Sequence, residues 1–396
     1  MRILLLGPVH REKEFLKQKG KFPFLEGQGQ QSWVEALEEL GHQVFVFRYT
    51  DSVLIPQVLR VSISEMSKRF FPVWSARYDR FKSAYYFISL ENYLKNKRLL
   101  VISYKVKPEL IIISGGVTSV FPETIKKIKN TYQCKVLLFS GVNPNTSATQ
   151  VEKIMIRESI VDAVVENDRG YAELWEKLGA RKTIVLPISS VDPELHKKVQ
   201  LTPQEQREYR CDVCFVGSLT KEREEILIEL IRSCQSRHSG LSRIAYNVGD
   251  SGVATLPRMT IKVWGDILPG IGLSKELRSV YQGTAYGEKM VKIFNAAKIV
   301  LNFQPKDMTH GGNMRTFEIP GCGAFQLADR IDKEWFEDEK EYVSFQDDND
   351  LRKKIKYFLE NHEEREKIAI NGYKRAYKEH TYKKHLAKLL NSIYMN

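Results

Sequence analysis

The chain has 396 residues, 42% of them hydrophobic, and a formal net charge of +12. That length exceeds one ordinary domain and suits two, and the composition excludes intrinsic disorder. Cys134, Cys211, Cys214, Cys234 and Cys322 are too few and too scattered for a disulfide framework, while the positive charge leaves nucleic acid, an anionic membrane or a small acidic ligand as partners.

The start, MRILLLGPVH, carries one Arg and a short apolar run. A secretory signal needs a longer apolar core and a small-residue cleavage site, so the run reads as a buried strand ending at Gly7. No run approaches the roughly 18–20 apolar residues that cross a bilayer. The expected compartment is the cytoplasm, where scattered thiols stay reduced. His10 follows the strand, at a sheet edge where an imidazole suits a catalytic base; the plainer alternative is a loop histidine.

A polar, Gly-rich insert comes next. In EGQGQQS, residues 26–32, Gly27 and Gly29 would let the backbone approach a sugar or a phosphate. It is no GxGxxG fingerprint, because Gln31 and Ser32 stand where a third glycine is due. SWVEALEEL places Trp33, Leu37 and Leu40 at helical spacing, Gly41 ends that helix, and HQVFVFRY reads as a strand. Residues 60–107 are rich in Arg, Lys and aromatics. They read as a helix pair with its charges in water, and residues 68–87 are also a candidate surface for peripheral contact with a membrane or a lipid-linked acceptor. ELIIIS, PETIKKIKNTY, KVLLFS, DAVVEN, GYAELWEKLG and KTIVLPI then alternate strand and helix. Apolar strands in that order imply a parallel sheet covered on both faces.

Residues 192–208 are polar, contain two prolines and no strand, and read as a linker between a domain at 1–191 and another at 209–375. The alternation restarts with DVCFVGS, KEREEILIELIRSC, IKVWGD, YGEKMVKIFNAA and KIVLNF. Cys211 and Cys214 lie in a strand-like stretch with no second pair at zinc spacing, so they read as plain core cysteines, and no metal is expected. Two doubly wound domains of this kind bind ligands at the carboxyl ends of their strands. The expected architecture is therefore α/β, with two Rossmann-like domains facing a cleft and the last helix, 376–396, packing back on the first domain.

The stretch HGGNMRTFEIPGCGAFQLAD, from His310 to Asp329, carries the most chemistry. Gly311 and Gly312 lead to Asn313, a candidate helix cap, and Pro320 and Gly321 limit the helix. A helix start beside glycines offers free N–H groups and a positive dipole to a phosphate, and His310 and Arg315 flank it. Glu318, about one turn in, can accept two hydrogen bonds from a vicinal diol. Together these describe a site for a nucleotide diphosphate. Gly217, Ser218, Lys221 and Arg223 end the first strand of the second half. They read either as cations facing such phosphates or as a solvated first helical turn. With no long basic block and no nucleic-acid module, nucleic acid is set aside.

The pattern from Glu318 to Leu327, Glu-x-x-x-Cys-Gly before an apolar strand, resembles the donor site of GT-B glycosyltransferases. The spacing His310-x-Gly312-x5-Glu318 is similar to their nucleotide-sugar signature. RTFEIPGCG, with DVCFVGSLTKEREEIL and VVENDRGYAELWEKLG upstream, resembles the CgeB-type, or spore maturation, glycosyltransferases over nearly the whole chain. The resemblance implies a GT-B fold and a UDP-, GDP- or TDP-sugar donor, with His310 on the diphosphate and Glu318 on the ribose. It implies metal-independent transfer to a hydroxyl of a glycan, a lipid-linked glycan or a small molecule. Many retaining relatives carry Glu where this chain has His310, which leaves the stereochemical outcome open. The rival readings are a GT-B nucleotide-sugar epimerase, a non-catalytic nucleotide-sugar binder, and a charge-driven membrane or nucleic-acid binder.

Overall fold

The computed structural model describes residues 1–7, 28–49, 90–115, 119–146, 149–235, 259–268 and 272–394. It divides into two compact units, Met1–Ile188 with Tyr382–Asn396, and Ser189–Thr381.

The first unit is built on a parallel sheet. Its strands are β1 (Arg2–Leu6), β2 (Gln43–Phe47), β3 (Leu110–Ser114), β4 (Lys135–Phe139), β5 (Ala163–Glu166) and β6 (Thr183–Val185), in the order β2-β1-β3-β4-β5-β6. Alternate side chains feed two separate cores, as a strand with period two requires. Leu4, Leu6, Ile111 and Leu138 pack with Trp175 and Leu99 on one face. Ile3, Leu5, Ile112 and Leu137 pack on the other, with Trp33 and Leu37 of helix α1 (Gln28–Glu39) and Leu386 and Leu389 near the C-terminus.

Helix α2 (Leu90–Val106) departs from the expected pattern of apolar-in and charged-out. Asn92, Lys95, Asn96 and Ser103 are buried, whereas Tyr93, Val101 and Tyr104 are exposed. Ser103 bonds Leu99 O within the helix, whereas Lys95 and Asn96 bond loop backbone. Lys95 Nζ donates to Tyr49 O at 2.9 Å, and Asn96 donates to Ser119 O at 3.0 Å and accepts from Phe121 N at 2.9 Å. Helices α3 (Pro122–Tyr132), α4 (Gln150–Arg157) and α5 (Arg169–Lys177) complete the alternation.

The stretch read as a linker belongs to the second unit and ends on a helix, α6 (Pro203–Tyr209). A capping box starts it: Glu205 N donates to Thr202 Oγ1 at 3.2 Å, and Thr202 N donates to the Glu205 carboxylate at 2.9 Å. The proline that suggested a linker, Pro203, sits at the first helical position, where its missing N–H costs nothing.

The second sheet holds β7 (Cys211–Val216), β8 (Ile261–Trp264), β9 (Ala297–Asn302), β10 (Gln326–Ala328) and β11 (Val343–Ser344), parallel and in the order β11-β10-β9-β7-β8. The chain leaves β7 in one direction to β8 and then returns past it to β9. The switch point is therefore between β7 and β9, the place where a doubly wound sheet opens a crevice at its carboxyl ends. Helices α7 (Lys221–Gln235), α8 (Lys275–Val280), α9 (Gly287–Ala296), α10 (Arg315–Gly321), α11 (Asp348–Glu360) and α12 (His362–Glu379) surround it. The helix that returns to the first unit, α13 (Tyr382–Tyr394), starts later than position 376. Among the described residues no helix is long and apolar enough to cross a membrane.

Glu166, at the end of β5, is wholly buried. Burial pushes its carboxyl up to about 8, against the opposing effect of hydrogen bonds from Asn167 N at 2.9 Å and the Trp175 indole at 3.2 Å. A raised folded-state pKa gives stability that is fully present below the ordinary carboxylate range and is lost as pH rises through about 8. Glu166→Gln cannot ionise. Measured against wild type, it should gain melting temperature progressively between pH 5 and 9, and a constant difference across that range would contradict the burial argument.

Candidate functional site

The carboxyl ends of β7 and β8 run backbone to backbone. Gly217 N donates to Trp264 O at 3.0 Å, and a Cβ on Gly265 would lie 1.7 Å from Gly217 O. Gly265 also has a φ of +154°, so only glycine serves there. Arg223, on the first turn of α7, ties the two sides of the switch point. It donates to Ser218 O beyond β7 at 2.9 Å and to Phe303 O beyond β9 at 2.6 Å. Its guanidinium lies over the Phe215 ring, and burial, aided by nearby Arg315, holds its pKa below the usual range against the pull of Asp329. Arg223, read either as facing phosphate or as part of a solvated first helical turn, is half-buried and bonds backbone. Two carbonyls at the diverging strand ends need donors, and a forked side chain supplies both.

The loop before α10 is also committed inward. Asn313 N donates to Gln304 Oε1 at 2.7 Å, and Asn313 Nδ2 donates to Asn302 Oδ1 at 2.8 Å and Phe303 O at 3.0 Å. Asn313 caps the following turn, its Oδ1 accepting from Arg315 N at 2.9 Å and its carbonyl from Thr316 N at 3.1 Å. Asn302 and Gln304 both donate to Thr316 Oγ1, at 3.3 and 3.0 Å, and Asn302 also reaches Gln326 Oε1 at 3.1 Å. The N–H groups of Asn313, Arg315 and Thr316, expected to point outward at a phosphate, are thus bonded within the unit. Gly311 and Gly312 are buried, and a Cβ on Gly312 would lie 2.7 Å from Thr316 Oγ1, so its bareness serves this turn. His310 is exposed, with Nδ1 2.9 Å from Thr309 Oγ1.

Glu318 is 6% exposed. Its Oε2 accepts from Arg315, one turn earlier on the same face of the helix. Arg315 Nε donates to Val216 O, the last carbonyl of β7, at 2.9 Å, and its guanidinium lies 6.0 Å from the centre of the Phe294 ring. Arg315, expected on the phosphates, is therefore turned onto Glu318. A carboxylate so far from water requires a countercharge, and the nearest cation supplies it. The second oxygen, Oε1, faces His196 Nε2 at 3.7 Å. His196 lies in the stretch read as a linker and was not among the expected site residues; a single histidine in a polar run carries no motif.

The structure thus brings Gly217, Ser218, Arg223, Asn313, Arg315 and Glu318 together at the β7–β9 switch point. Lys221 is exposed at the start of α7. Gly29 belongs to helix α1 of the first unit, whereas His10, Gly27 and residues 68–87 lie outside the described residues. Cys211 and Cys214 are buried free thiols in an apolar cluster, and burial raises the Cys214 pKa well above the usual range. Among the described residues no three His, Cys, Asp or Glu side chains gather as a metal site needs.

Arg223→Ala removes a donor from each of two strand-end carbonyls and should destabilise the second unit by roughly 2–4 kcal/mol, with Arg223→Lys in between. Urea unfolding checks this, and an unchanged midpoint for Arg223→Ala would refute the staple.

Residues 251–391 match a protein family described as Glycosyl transferase-like. The chain is 25% identical over 241 residues to the spore protein CgeB of Bacillus subtilis (strain 168), covering 58% of this chain and 67% of that protein. Among solved structures it is similar to Anabaena Alr3699/HepE in complex with UDP and glucose, with a TM-score of 0.58 at 12% identity, covering 99% of this chain and 100% of that one. It is also similar to a glycosyltransferase from Rickettsia africae ESF-5, with a TM-score of 0.61 at 13% identity, covering 98% and 96% of the two chains. Sucrose-phosphate synthase from Thermosynechococcus elongatus gives a TM-score of 0.59 at 12% identity, covering the whole of both chains. These likenesses carry the GT-B fold, and the match over residues 251–391 and the CgeB similarity make the chain similar to glycosyltransferases of the CgeB type.

Proposed function

We propose that the protein transfers a sugar from a nucleotide-diphosphate sugar to a hydroxyl acceptor, on a glycan, a lipid-linked glycan or a small molecule, without a metal ion. The observation that carries this reading is Glu318. It is a buried carboxylate beside the switch point of a doubly wound sheet, held by Arg315, with lone pairs left for a ribose diol. Solved complexes of HepE contain UDP and glucose, or UDP-glucose. UDP is therefore the first nucleotide to try, with GDP and TDP after it.

In the proposed reaction the bond between the sugar anomeric carbon and the diphosphate oxygen breaks. The acceptor oxygen bonds to that carbon, its proton passes to a base, and the nucleoside diphosphate leaves with the bonding electrons. His10 is the proposed base, because an imidazole titrates near neutrality. The phosphate surface is assigned to the turn at Gly217 and Ser218 and to the His310–Gly312 loop. Lys221 and His310 are the exposed cationic or donor side chains that meet the leaving charge. Asn313 and Arg223 hold that surface in shape, and Arg315 fixes the carboxylate. Gly27 and Gly29 are assigned to the acceptor or phosphate loop. A cytoplasmic location, with peripheral membrane contact through residues 68–87, fits a lipid-linked acceptor and the charge of +12.

A thermal-shift screen against UDP, GDP, TDP and their sugars should give a ligand-dependent rise in melting temperature. Glu318→Ala should weaken binding of the preferred nucleotide by roughly 1–3 kcal/mol. Equal affinity for wild type and variant would remove Glu318 from the ribose. Lys221→Ala should lower kcat about tenfold or more if its charge meets the leaving diphosphate, and intact turnover would take it out of that role.

A further inference from the structure

His196 is 3% exposed and belongs to the segment that begins the second unit. The residue is held through both ring and backbone. Asp192 N donates to Nδ1 at 3.1 Å, the Tyr377 hydroxyl donates to the His196 carbonyl at 2.6 Å, and Val191 and Gly321 pack close. A Cβ on Gly321 would lie 3.2 Å from His196 Cβ, so α10 runs directly against this residue. Because Nδ1 accepts, the proton of the neutral ring resides on Nε2. That Nε2 is buried without a hydrogen-bond partner, and the acceptor it faces is Glu318 Oε1 at 3.7 Å. An unpartnered buried N–H is costly, and native structures rarely keep one without a use.

We infer that His196 is a positioning residue for Glu318: its Nε2–H dipole, aimed at Oε1 from 3.7 Å, steadies that edge of the carboxylate while Arg315 bonds Oε2, which sets the carboxylate plane for the ribose. This rests on the reading of Glu318 as the ribose acceptor. The ring does this as a neutral donor. Burial lowers its pKa against the opposing fields of Glu318 and Asp192, and Arg315 lowers it further. A proton on Nδ1 would also set that nitrogen against the Asp192 N–H. The same side chain thereby links Glu318, through Asp192, to the neighbouring Val191, whose N donates to His380 O at 2.8 Å and which pairs with Thr381.

The test separates the two nitrogens by titrating the full chain with whichever of UDP, GDP and TDP wild type binds most tightly. His196→Asn keeps an acceptor within reach of Asp192 N–H but is too short to reach Glu318. It should weaken binding about fivefold or more, whereas His196→Gln, whose amide occupies the Nε2 position, should stay within about twofold of wild type. In a Glu318→Ala background, His196→Asn should have little further effect, because its partner is gone. Unchanged affinity in His196→Asn, an equal loss in both backgrounds, or a Gln variant as weak as Asn would overturn the inference. If Glu318→Ala itself binds as wild type, or no nucleotide binds at all, the ribose reading fails and this inference fails with it.

Discussion

The Arg315 guanidinium sets the geometry of the second unit's switch point. It bonds the last carbonyl of β7 with Nε and the Glu318 carboxylate with its terminal nitrogen. One side chain thereby fixes the short helix α10 to the end of β7 and gives a buried carboxylate its countercharge. Without that pairing, Glu318 would stand in a poorly solvated place alone, where a charge is expensive to keep. With it, a charged acceptor is available at the carboxyl edge of the sheet before any ligand arrives.

The rest of the site is arranged to keep that edge still. Arg223 joins the ends of β7 and β9, and Asn302, Gln304, Gln326, Asn313 and Thr316 form a bonded layer beneath the loop. Networks of this kind are rigid when every member is satisfied and costly when one is missing. The expected phosphate-binding helix tip is reinterpreted by these contacts. The N–H groups of Asn313, Arg315 and Thr316 build the loop's shape, and His310 stands exposed beside them.

Much of this was legible from local pattern. Strands such as RILLL and LIIIS are apolar on both faces because helices cover both faces, and that composition marks a parallel sheet without further information. Gly217 and Glu318 were singled out because a turn after a strand and a carboxylate near a helix start have local signatures, and both lie at the switch point. What escaped was whatever depends on partners distant in sequence. Arg315 looked like a phosphate ligand because nothing nearby says that Val216 O lies beside it. Asn302 and Gln304 carry no local signature of the layer they form, and His196 sat in a run whose polarity suggested a linker. The buried polar face of α2 was hidden for the same reason, since Lys95 and Asn96 are bonded to loops many positions away.

The central claim is that Glu318 accepts the ribose of the donor nucleotide. Calorimetric titration of the preferred nucleoside diphosphate and its 3′-deoxy analogue, in wild type and in Glu318→Ala, tests it at the level of the single contact. The account predicts that losing the hydroxyl costs wild type about tenfold in affinity and costs the variant almost nothing. An equal loss in both proteins, or none in wild type, would contradict it.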